Sequence, residues 1–336
     1  MPQKSSPIKS NKTNSKTRRI TSKKFLGIIS SLLIVGLLTI IIWFVFFRTT
    51  KPKFDGEQAF QYLVQQCEFG PRNPGSSGHA ECKAFLTSEL KKYCDRVEQQ
   101  DFEYQDKKDP MNIYHGTNII ASINLHPKER KRIMLCAHWD TRPWADQDPI
   151  PENHSQPIIG ANDGASGVAV LLEIAWILKS HKPDISVDII LFDLEDIGDY
   201  KAEQYPDSLN PFSMGSEYFV SNNNGYNPAY GILLDLIGDQ DLQIKKEAFS
   251  VTNAEPIVNK VWNAANKVGA KAFSETSGEA IYDDHIPFLK KGISVIDLID
   301  FDYPYWHTAG DTPDKCSTKS LQEVGDVLVE VIFSEF

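Results

Sequence analysis

Helix-like and strand-like segments alternate over most of this 336-residue chain, and the alternation constrains its fold more than any other feature. Short apolar runs typical of buried strands are separated by longer segments with the apolar spacing of amphipathic helices. Helices between buried strands predict an α/β fold, a three-layer sandwich around a mostly parallel mixed sheet. The predicted strands are 118–123, 133–138, 187–193, 231–236 and 293–298, and the predicted helices are 57–66, 79–93, 167–178, 256–268 and 318–332.

The N-terminal region differs in charge from the rest of the chain. Residues 1–53 contain eleven Lys or Arg residues and no Asp or Glu, so the remainder has 24 basic and 45 acidic residues, a net charge of −21. Such a charge disfavours nucleic acid and favours cationic ligands, although an acidic surface kept for solubility is an equally simple interpretation. We therefore expect no nucleic-acid partner.

Residues 25–47 form a run of 23 uncharged, mostly apolar residues, which is long enough for a helix to cross a bilayer. Eight Lys or Arg residues precede this run and only three follow it closely, so the charge bias directs the N-terminus to the cytoplasm. We predict a single-pass membrane protein with a disordered basic tail (1–24), a transmembrane helix (25–47) and an outward-facing catalytic domain (54–336). A cleaved signal peptide is the competing interpretation of the apolar run.

Polar residues that can bind a metal follow the ends of three predicted strands. His138 lies at the end of the strand 133–138, Glu195 and Asp196 follow the strand 187–193, and Asp235 lies near the end of the strand 231–236. In open α/β sheets, ligands bind beyond the carboxyl ends of the strands, so we expect these side chains to meet at one edge of the sheet. Two further candidates complete the set of six: Asp163 and His307.

A catalytic zinc site uses three nitrogen or oxygen ligands and keeps one position open. Asp163, Asp196 and His307 could supply that set, and the small residues of the turn 160–167 would let the backbone pass close to a metal. Glu195 would then be free to act as a general base or acid. Each residue alone has an ordinary explanation, such as a helix cap for Asp163, but the combination predicts a zinc-dependent enzyme.

Five motifs carry a resemblance to a known family. They are AHWDTRPWAD (137–146), GANDGASG (160–167), DLIG (235–238), DDHIPFL (283–289) and WHT (306–308). Together they resemble the glutaminyl cyclases (glutaminyl-peptide cyclotransferases), a family similar in fold to the zinc-dependent aminopeptidases. The resemblance extends from about residue 54 to the C-terminus and leaves out only the tail and the apolar run.

The resemblance implies a single zinc ion as cofactor. Asp163, Asp196 and His307 match the zinc ligands of the family. His138 would be a remnant of a second metal site. The implied substrates are peptides or proteins with an N-terminal glutamine, which the enzyme would convert to pyroglutamate with release of ammonia.

The resemblance also assigns roles in catalysis and in substrate binding. Glu195, Asp235 and Asp283 match the acidic group that handles protons in the family, with Glu195 carrying the proton from the attacking amine to the leaving group. Trp306 and Tyr303 would line the substrate pocket.

Two other functions stay open at this point. In a two-zinc aminopeptidase of the same fold, His138 and Asp235 would bind a second zinc and Asp163 would bridge both ions. Asp283 favours the cyclase, because the aminopeptidases generally carry only the second acid of the Asp283–Asp284 pair. A receptor or interaction ectodomain that kept the fold and lost the chemistry is the third possibility.

Three positions depart from the pattern of the animal cyclases. Asp196 replaces a glutamate, Asp297 replaces a histidine, and the segment 197–214 lacks their tryptophan. These features resemble the bacterial branch of the family. The catalytic domain would then face the periplasm, whereas in a eukaryote it would face the secretory lumen.

Overall fold

The computed structural model describes residues 30–40, 51–107, 109–125, 131–198 and 212–335. The chain divides into two units, Met1–Thr50 and Lys51–Phe336. Residues 30–40 are helical, while the other parts of the predicted transmembrane segment and the predicted tail lie outside the described residues. Within the described ranges, no helix is both long enough and apolar enough to cross a membrane.

A mixed sheet forms the centre of the second unit. Its strands in the described residues are β1 (Arg96–Gln105), β2 (Ile113–Ile123), β3 (Arg132–His138), β4 (Ser186–Phe192), β5 (Gly231–Asp235) and β8 (Val295–Ile299). They have the order β1-β2-β4-β3-β5-β8. Strands β3, β4, β5 and β8 pair in parallel, whereas β2 is antiparallel to β4 and β1 is antiparallel to β2. A separate parallel pair consists of β6 (Ile244–Lys246) and β7 (Phe273–Ser277).

Helices cover both faces of the sheet. One face packs against α1 (Gly56–Glu68), α2 (Ser77–Tyr93), α3 (Ser166–Ser180), α5 (Ala248–Val268) and α7 (Thr318–Phe333). The other face packs against α4 (Met214–Asn222) and α6 (Ile286–Lys290). The predicted α/β architecture with a mostly parallel mixed sheet is therefore confirmed.

Strand β3 shows why the sheet is buried on both sides. Ile133 and Leu135 point into the larger core with α3, whereas Met134 and Cys136 point into the smaller core with α4 and α6. Side chains of a strand alternate between faces, so a continuous apolar run is what a central strand of a three-layer fold requires.

Strand β1 and the start of helix α5 differ from the prediction for identifiable reasons. The sequence predicts no strand at β1, because β1 lies at the edge of the sheet and Phe102 is its only buried residue. Helix α5 begins at Ala248, earlier than the predicted start at Pro256. Its backbone leaves helical geometry at Ala254, shortly before the proline, as expected when a proline interrupts a helix.

Candidate metal centre and active site

The carboxyl ends of three neighbouring strands carry the predicted site residues to one edge of the sheet. Strand β3 ends at His138, β4 leads into Glu195 and Asp196, and β5 ends at Asp235. Leu194 and Leu236, beside two of these ends, have positive φ angles of 56° and 50°. His307 has a φ of 54° as well. Left-handed backbone at residues other than glycine is sparsely populated, and such strain concentrates at functional sites.

Asp163, Asp196 and His307 form a compact ligand set. Their candidate ligand atoms lie within 4.8 Å of one another. Nε2 of His307 is 3.2 Å from Oδ1 of Asp196 and 3.8 Å from Oδ2 of Asp163. Oδ2 of both aspartates is buried and has no hydrogen-bond partner among the described residues. Buried carboxylate oxygens normally have a partner, so this geometry fits a bound zinc ion.

A second ligand set shares Asp163 with the first. Nε2 of His138 lies 3.2 Å from Oδ1 of Asp163 and 3.2 Å from Oδ1 of Asp235. The atoms of this set are also within 4.8 Å of one another. The residues needed for a two-metal centre bridged by Asp163 are thus all in position.

The loop that presents Asp163 is held by two buried side chains from distant parts of the sequence. Asp311 accepts hydrogen bonds from the backbone N–H groups of Asn162 (2.9 Å) and Asp163 (3.1 Å). Arg72 donates to the carbonyl oxygens of Ile159 and Gly160, both at 2.7 Å. These contacts fix the turn before helix α3 and with it the direction of the Asp163 carboxylate.

Arg142 connects the other two ligands. Its buried guanidinium donates to Oδ1 of Asp196 at 2.7 Å and to both carboxylate oxygens of Asp146 at 2.7 and 3.0 Å. Oδ1 of Asp146 is in turn 3.6 Å from Nδ1 of His307. Although burial raises the pKa of Asp196, His307 and Arg142 lower it to about 2. The Asp196 carboxylate is therefore held ionised, as a metal ligand must be.

Asp140 supports the site through the backbone. Its two carboxylate oxygens accept the N–H groups of Glu195 (3.1 Å) and Asp196 (3.3 Å). Its nearest approach to Nδ1 of His138 is longer, at 3.6 Å. Asp140 thus orients the turn that carries both acidic residues.

A cavity of about 400 Å³ opens over the ligands. Its acidic lining includes Glu195, Asp235 and Asp283 beside the ligands, and aromatic side chains contribute part of the rest. Trp306 stacks on the imidazole of His307, with ring centroids 3.6 Å apart, and meets Phe301 edge-to-face at 5.0 Å. The cavity combines an apolar wall with a charged floor, the usual composition of a small-ligand site.

The acidic residues of the cavity influence one another. Burial raises the pKa of Glu195 well above its ordinary value, and the carboxylates of Asp196 and Asp283 raise it further, against the effect of His138. Burial, Asp235 and Asp284 likewise raise the pKa of Asp283 well above its ordinary value. Like charges in a buried site cannot all ionise cheaply, so this group is suited to hold and transfer protons.

Tyr303 was expected to line the substrate pocket, but the structure does not bring it to the cavity. It is buried, it is not among the described residues that line the cavity, and its hydroxyl donates a 2.8 Å hydrogen bond to Asp311. Tyr303 therefore supports the loop of Asp163 from behind. Arg142, Asp146 and Asp311 were not predicted to belong to the site, although the first two lie in the motif 137–146 that carried the resemblance.

Comparisons with family models and with solved structures point to related zinc-enzyme relatives. A model described as peptidase family M28 matches residues 118–332, well over half of the chain. The structure of a glutaminyl cyclase from Bacteroides thetaiotaomicron is 38% identical with a TM-score of 0.80, over 85% of this chain and 100% of that chain. A Zn-dependent exopeptidase from Parabacteroides distasonis is 36% identical with a TM-score of 0.80, over the same shares of both chains.

Curated relatives include both enzyme types. Aminopeptidase YwaD of Bacillus subtilis is 28% identical over 60% of this chain, and the match spans only 40% of that longer protein. The glutaminyl-peptide cyclotransferase of Bos taurus is 23% identical over 76% of each chain.

Proposed function

The chain belongs to peptidase family M28, and within that family we propose that it is a zinc-dependent glutaminyl-peptide cyclotransferase. Its substrates would be peptides or proteins with an N-terminal glutamine. The α-amine would attack the amide carbon of the same glutamine side chain, so that a carbon–nitrogen bond forms, ammonia leaves and pyroglutamate remains.

The observation that carries this proposal is the position of Asp283 in the cavity wall with Glu195 and Asp235. Peptide hydrolysis in the two-metal arrangement needs one carboxylate to handle protons. Cyclisation has to take a proton from an amine and give one to a poor leaving group, and a group of carboxylates that share protons suits this task.

Asp163, Asp196 and His307 would hold one catalytic zinc ion. When bound there, zinc would supply Lewis acidity toward the oxygen of the side-chain amide. The ligand chemistry of one imidazole and two carboxylates suits zinc, and the unpartnered oxygens of the two aspartates support its presence.

Glu195 is the proposed proton carrier. It lies next to the ligand Asp196 in sequence but lines the cavity, and its raised pKa favours holding a proton within the site. It would accept the proton of the attacking amine and deliver it to the departing nitrogen. Asp283 and Asp235 would share a proton between them and keep a hydrogen-bond donor near Glu195.

Trp306 and Phe301 would bind the apolar part of the glutamine side chain. The reacting amine and amide belong to one residue, so the cavity has mainly to select the folded rotamer and exclude water. A volume of about 400 Å³ is sufficient for one residue and the start of the next.

A two-zinc aminopeptidase is the second candidate, and it rests on the His138, Asp163 and Asp235 set. Both candidates use the same fold, and relatives of both types are similar to this chain. The presence of this ligand set does not distinguish the two enzymes. A cyclase is expected to contain the same three residues, with His138 as the remnant of a second metal site.

The experiment is a comparison of two substrates with the full-length protein in detergent. We expect ammonia release from a glutamine-initiated dipeptide and little cleavage of leucine anilide. Asp283→Asn should lower ammonia release by about 10²-fold or more, because it removes a proton-sharing carboxylate. Asp302→Asn, an exposed acid outside the cavity, is the control. Rapid cleavage of leucine anilide without ammonia release would reject the proposal.

A further inference from the structure

We propose that Glu279 makes the enzyme selective for peptides whose second residue, directly after the N-terminal glutamine, is lysine or arginine. The inference rests on the proposed function, because it takes the first residue of a peptide to occupy the active-site cavity. It adds a pocket for the side chain that follows and one residue that recognises the charge of that side chain.

A second cavity lies beside the active-site cavity. Its volume is about 240 Å³, which suits a single long side chain. Four of the described residues line both cavities: Glu279, Ile281, Ile299 and Phe301. A peptide whose glutamine lies over the zinc ligands therefore has the second cavity next to its second residue.

The segment 279–283 joins the rim of the two cavities to the catalytic group. All of its residues line the active-site cavity, from the exposed Glu279 to the buried Asp283. The backbone carbonyl oxygen of Glu279 accepts a 3.0 Å hydrogen bond from the N–H group of Ala248, at the start of α5. The backbone of Glu279 is thus fixed relative to the rest of the site, and its carboxylate is presented at a defined part of the rim.

The second cavity has an excess of negative charge. Among the described residues that line it, Lys245 is the one Lys or Arg, and it already pairs with Asp302. Asp300 and Glu247 accept hydrogen bonds from backbone N–H groups. The carboxylate of Glu279 forms no ion pair within the described part of the chain, so it is free to bind a cationic group of the substrate.

Lys245 shows how this surrounding acts on an amine. A hydrogen bond with Asp302 raises the pKa of Lys245, and the charges of Asp302, Asp300 and Glu279 raise it as well, against the opposing effect of burial. The acids around the second cavity thus favour the protonated form of an amino group.

The wall shared by the two cavities is apolar, which favours a cation on a long side chain. Ile281, Ile299 and Phe301 form this wall. Lysine and arginine can lay their methylene groups along an apolar surface and extend the charged end beyond it, here toward Glu279. The ring of Phe301 can also attract the cation. A glutamate at the second position would instead meet Glu279 as a like charge.

Three tripeptide amides test the inference on the full-length, zinc-loaded protein in detergent. All begin with glutamine and end with alanine, and the second residue is lysine, norleucine or glutamate. We expect kcat/KM for the lysine peptide to exceed that for the norleucine peptide by about 3- to 5-fold and that for the glutamate peptide by about 10-fold, because one exposed charge contact contributes modestly. The difference should lie mainly in KM, and it should largely disappear in about 1 M NaCl.

Two substitutions of Glu279 and one control assign the preference to this residue. Glu279→Gln should bring the lysine-to-norleucine ratio to about one, and Glu279→Lys should make the glutamate peptide the better substrate. Glu81→Gln is the matched control and should keep the wild-type ratio, because Glu81 is an exposed acid on α2 that lines neither cavity. A ratio that survives in Glu279→Gln, or that falls equally in Glu81→Gln, would overturn the inference.

The mass of the product separates this inference from the proposed function. Loss of ammonia identifies cyclisation, whereas loss of the first residue identifies hydrolysis and would reject the cyclotransferase. The second residue of the peptide lies next to the same cavity in either reaction, so the lysine preference is measured from whichever product forms. Equal turnover of the three peptides by the wild type would overturn the inference with either product.

Discussion

Glu195 and Asp196 are neighbours in the chain, yet the structure gives their carboxylates different surroundings. Asp196 is paired with Arg142 and His307, and its pKa falls to about 2. Glu195 lines the cavity, and no ion pair is formed by its carboxylate among the described residues. Burial raises its pKa well above the ordinary value. Opposite pKa shifts in two adjacent acids indicate different tasks: Asp196 is suited to bind a metal and Glu195 to carry a proton.

Glu195→Gln tests that division of roles. The amide keeps the shape of the side chain but cannot transfer a proton, so we expect zinc content to stay the same and turnover to fall by about 10²- to 10⁴-fold. The measurement pairs metal analysis with initial rates on a glutamine-initiated dipeptide. Loss of zinc from this variant would instead make Glu195 a ligand.

Arg142→Gln tests the connection between the ligands. Removing the guanidinium leaves the buried Asp196 and the partly exposed Asp146 without this charged partner, which should cost about 3–5 kcal/mol in the free energy of unfolding. Zinc affinity should fall by about 10- to 100-fold, because Asp196 and His307 lose their support. Chemical denaturation and competition with a chelator measure the two effects.

Arg96→Gln is the control, since Arg96 makes one 3.0 Å ion pair with Glu98 and the two side chains are 54% and 52% exposed. An exposed ion pair contributes little to stability. Equal losses in the Arg96 and Arg142 variants would contradict the assigned role.

At the scale of elements, the strands that carry the site could be predicted from sequence. Strands β3, β4 and β5 are mostly apolar runs. Strand β3 ends at His138, β5 ends at Asp235, and two residues separate the end of β4 from Glu195 and Asp196. A central parallel strand is buried on both faces, so its sequence alone reveals it. Strand β1 could not be found in this way, because an exposed edge strand has no apolar run.

The supporting contacts of the site could not be predicted. Arg142 meets Asp196 across 54 positions, and Asp311 meets Asn162 across 149 positions. No local pattern encodes such pairs, because they depend on how loops from different strands meet.

Helix α3 contains a buried acid that should make stability depend on pH. Burial raises the pKa of Glu173 from 4.5 to about 7; the charge of Asp55 raises it as well, and a hydrogen bond with the Asp55 backbone opposes the increase. The folded state therefore binds the proton more tightly than the unfolded state. This contribution is fully present below pH 4.5 and is lost as the pH rises through about 7, up to about 3 kcal/mol.

Glu173→Gln should remove that loss, because the amide cannot ionise. We expect the variant to gain stability over the wild type as the pH rises from about 5 to about 8, measured by urea unfolding at each pH. Glu255→Gln, on the exposed face of α5, should follow the wild-type profile. A constant difference between Glu173→Gln and wild type across this range would contradict the raised pKa.

At the scale of the whole molecule, the catalytic unit follows a segment that we propose to be a membrane anchor. The run of 23 uncharged residues at 25–47, with eight basic residues before it, motivates this proposal. We expect the full-length protein to stay in the membrane fraction after alkaline carbonate extraction, and residues 51–336 to be released. Release of the full-length protein would reject the anchor.

The most direct test of the central claim is the mass of the product formed from one peptide. A peptide that begins with glutamine would be incubated with the full-length, zinc-loaded protein and analysed by mass spectrometry. The cyclotransferase assignment predicts a product lighter by one ammonia, with every peptide bond intact and a blocked N-terminus. A product shortened by its first residue would contradict it and identify the protein as an aminopeptidase.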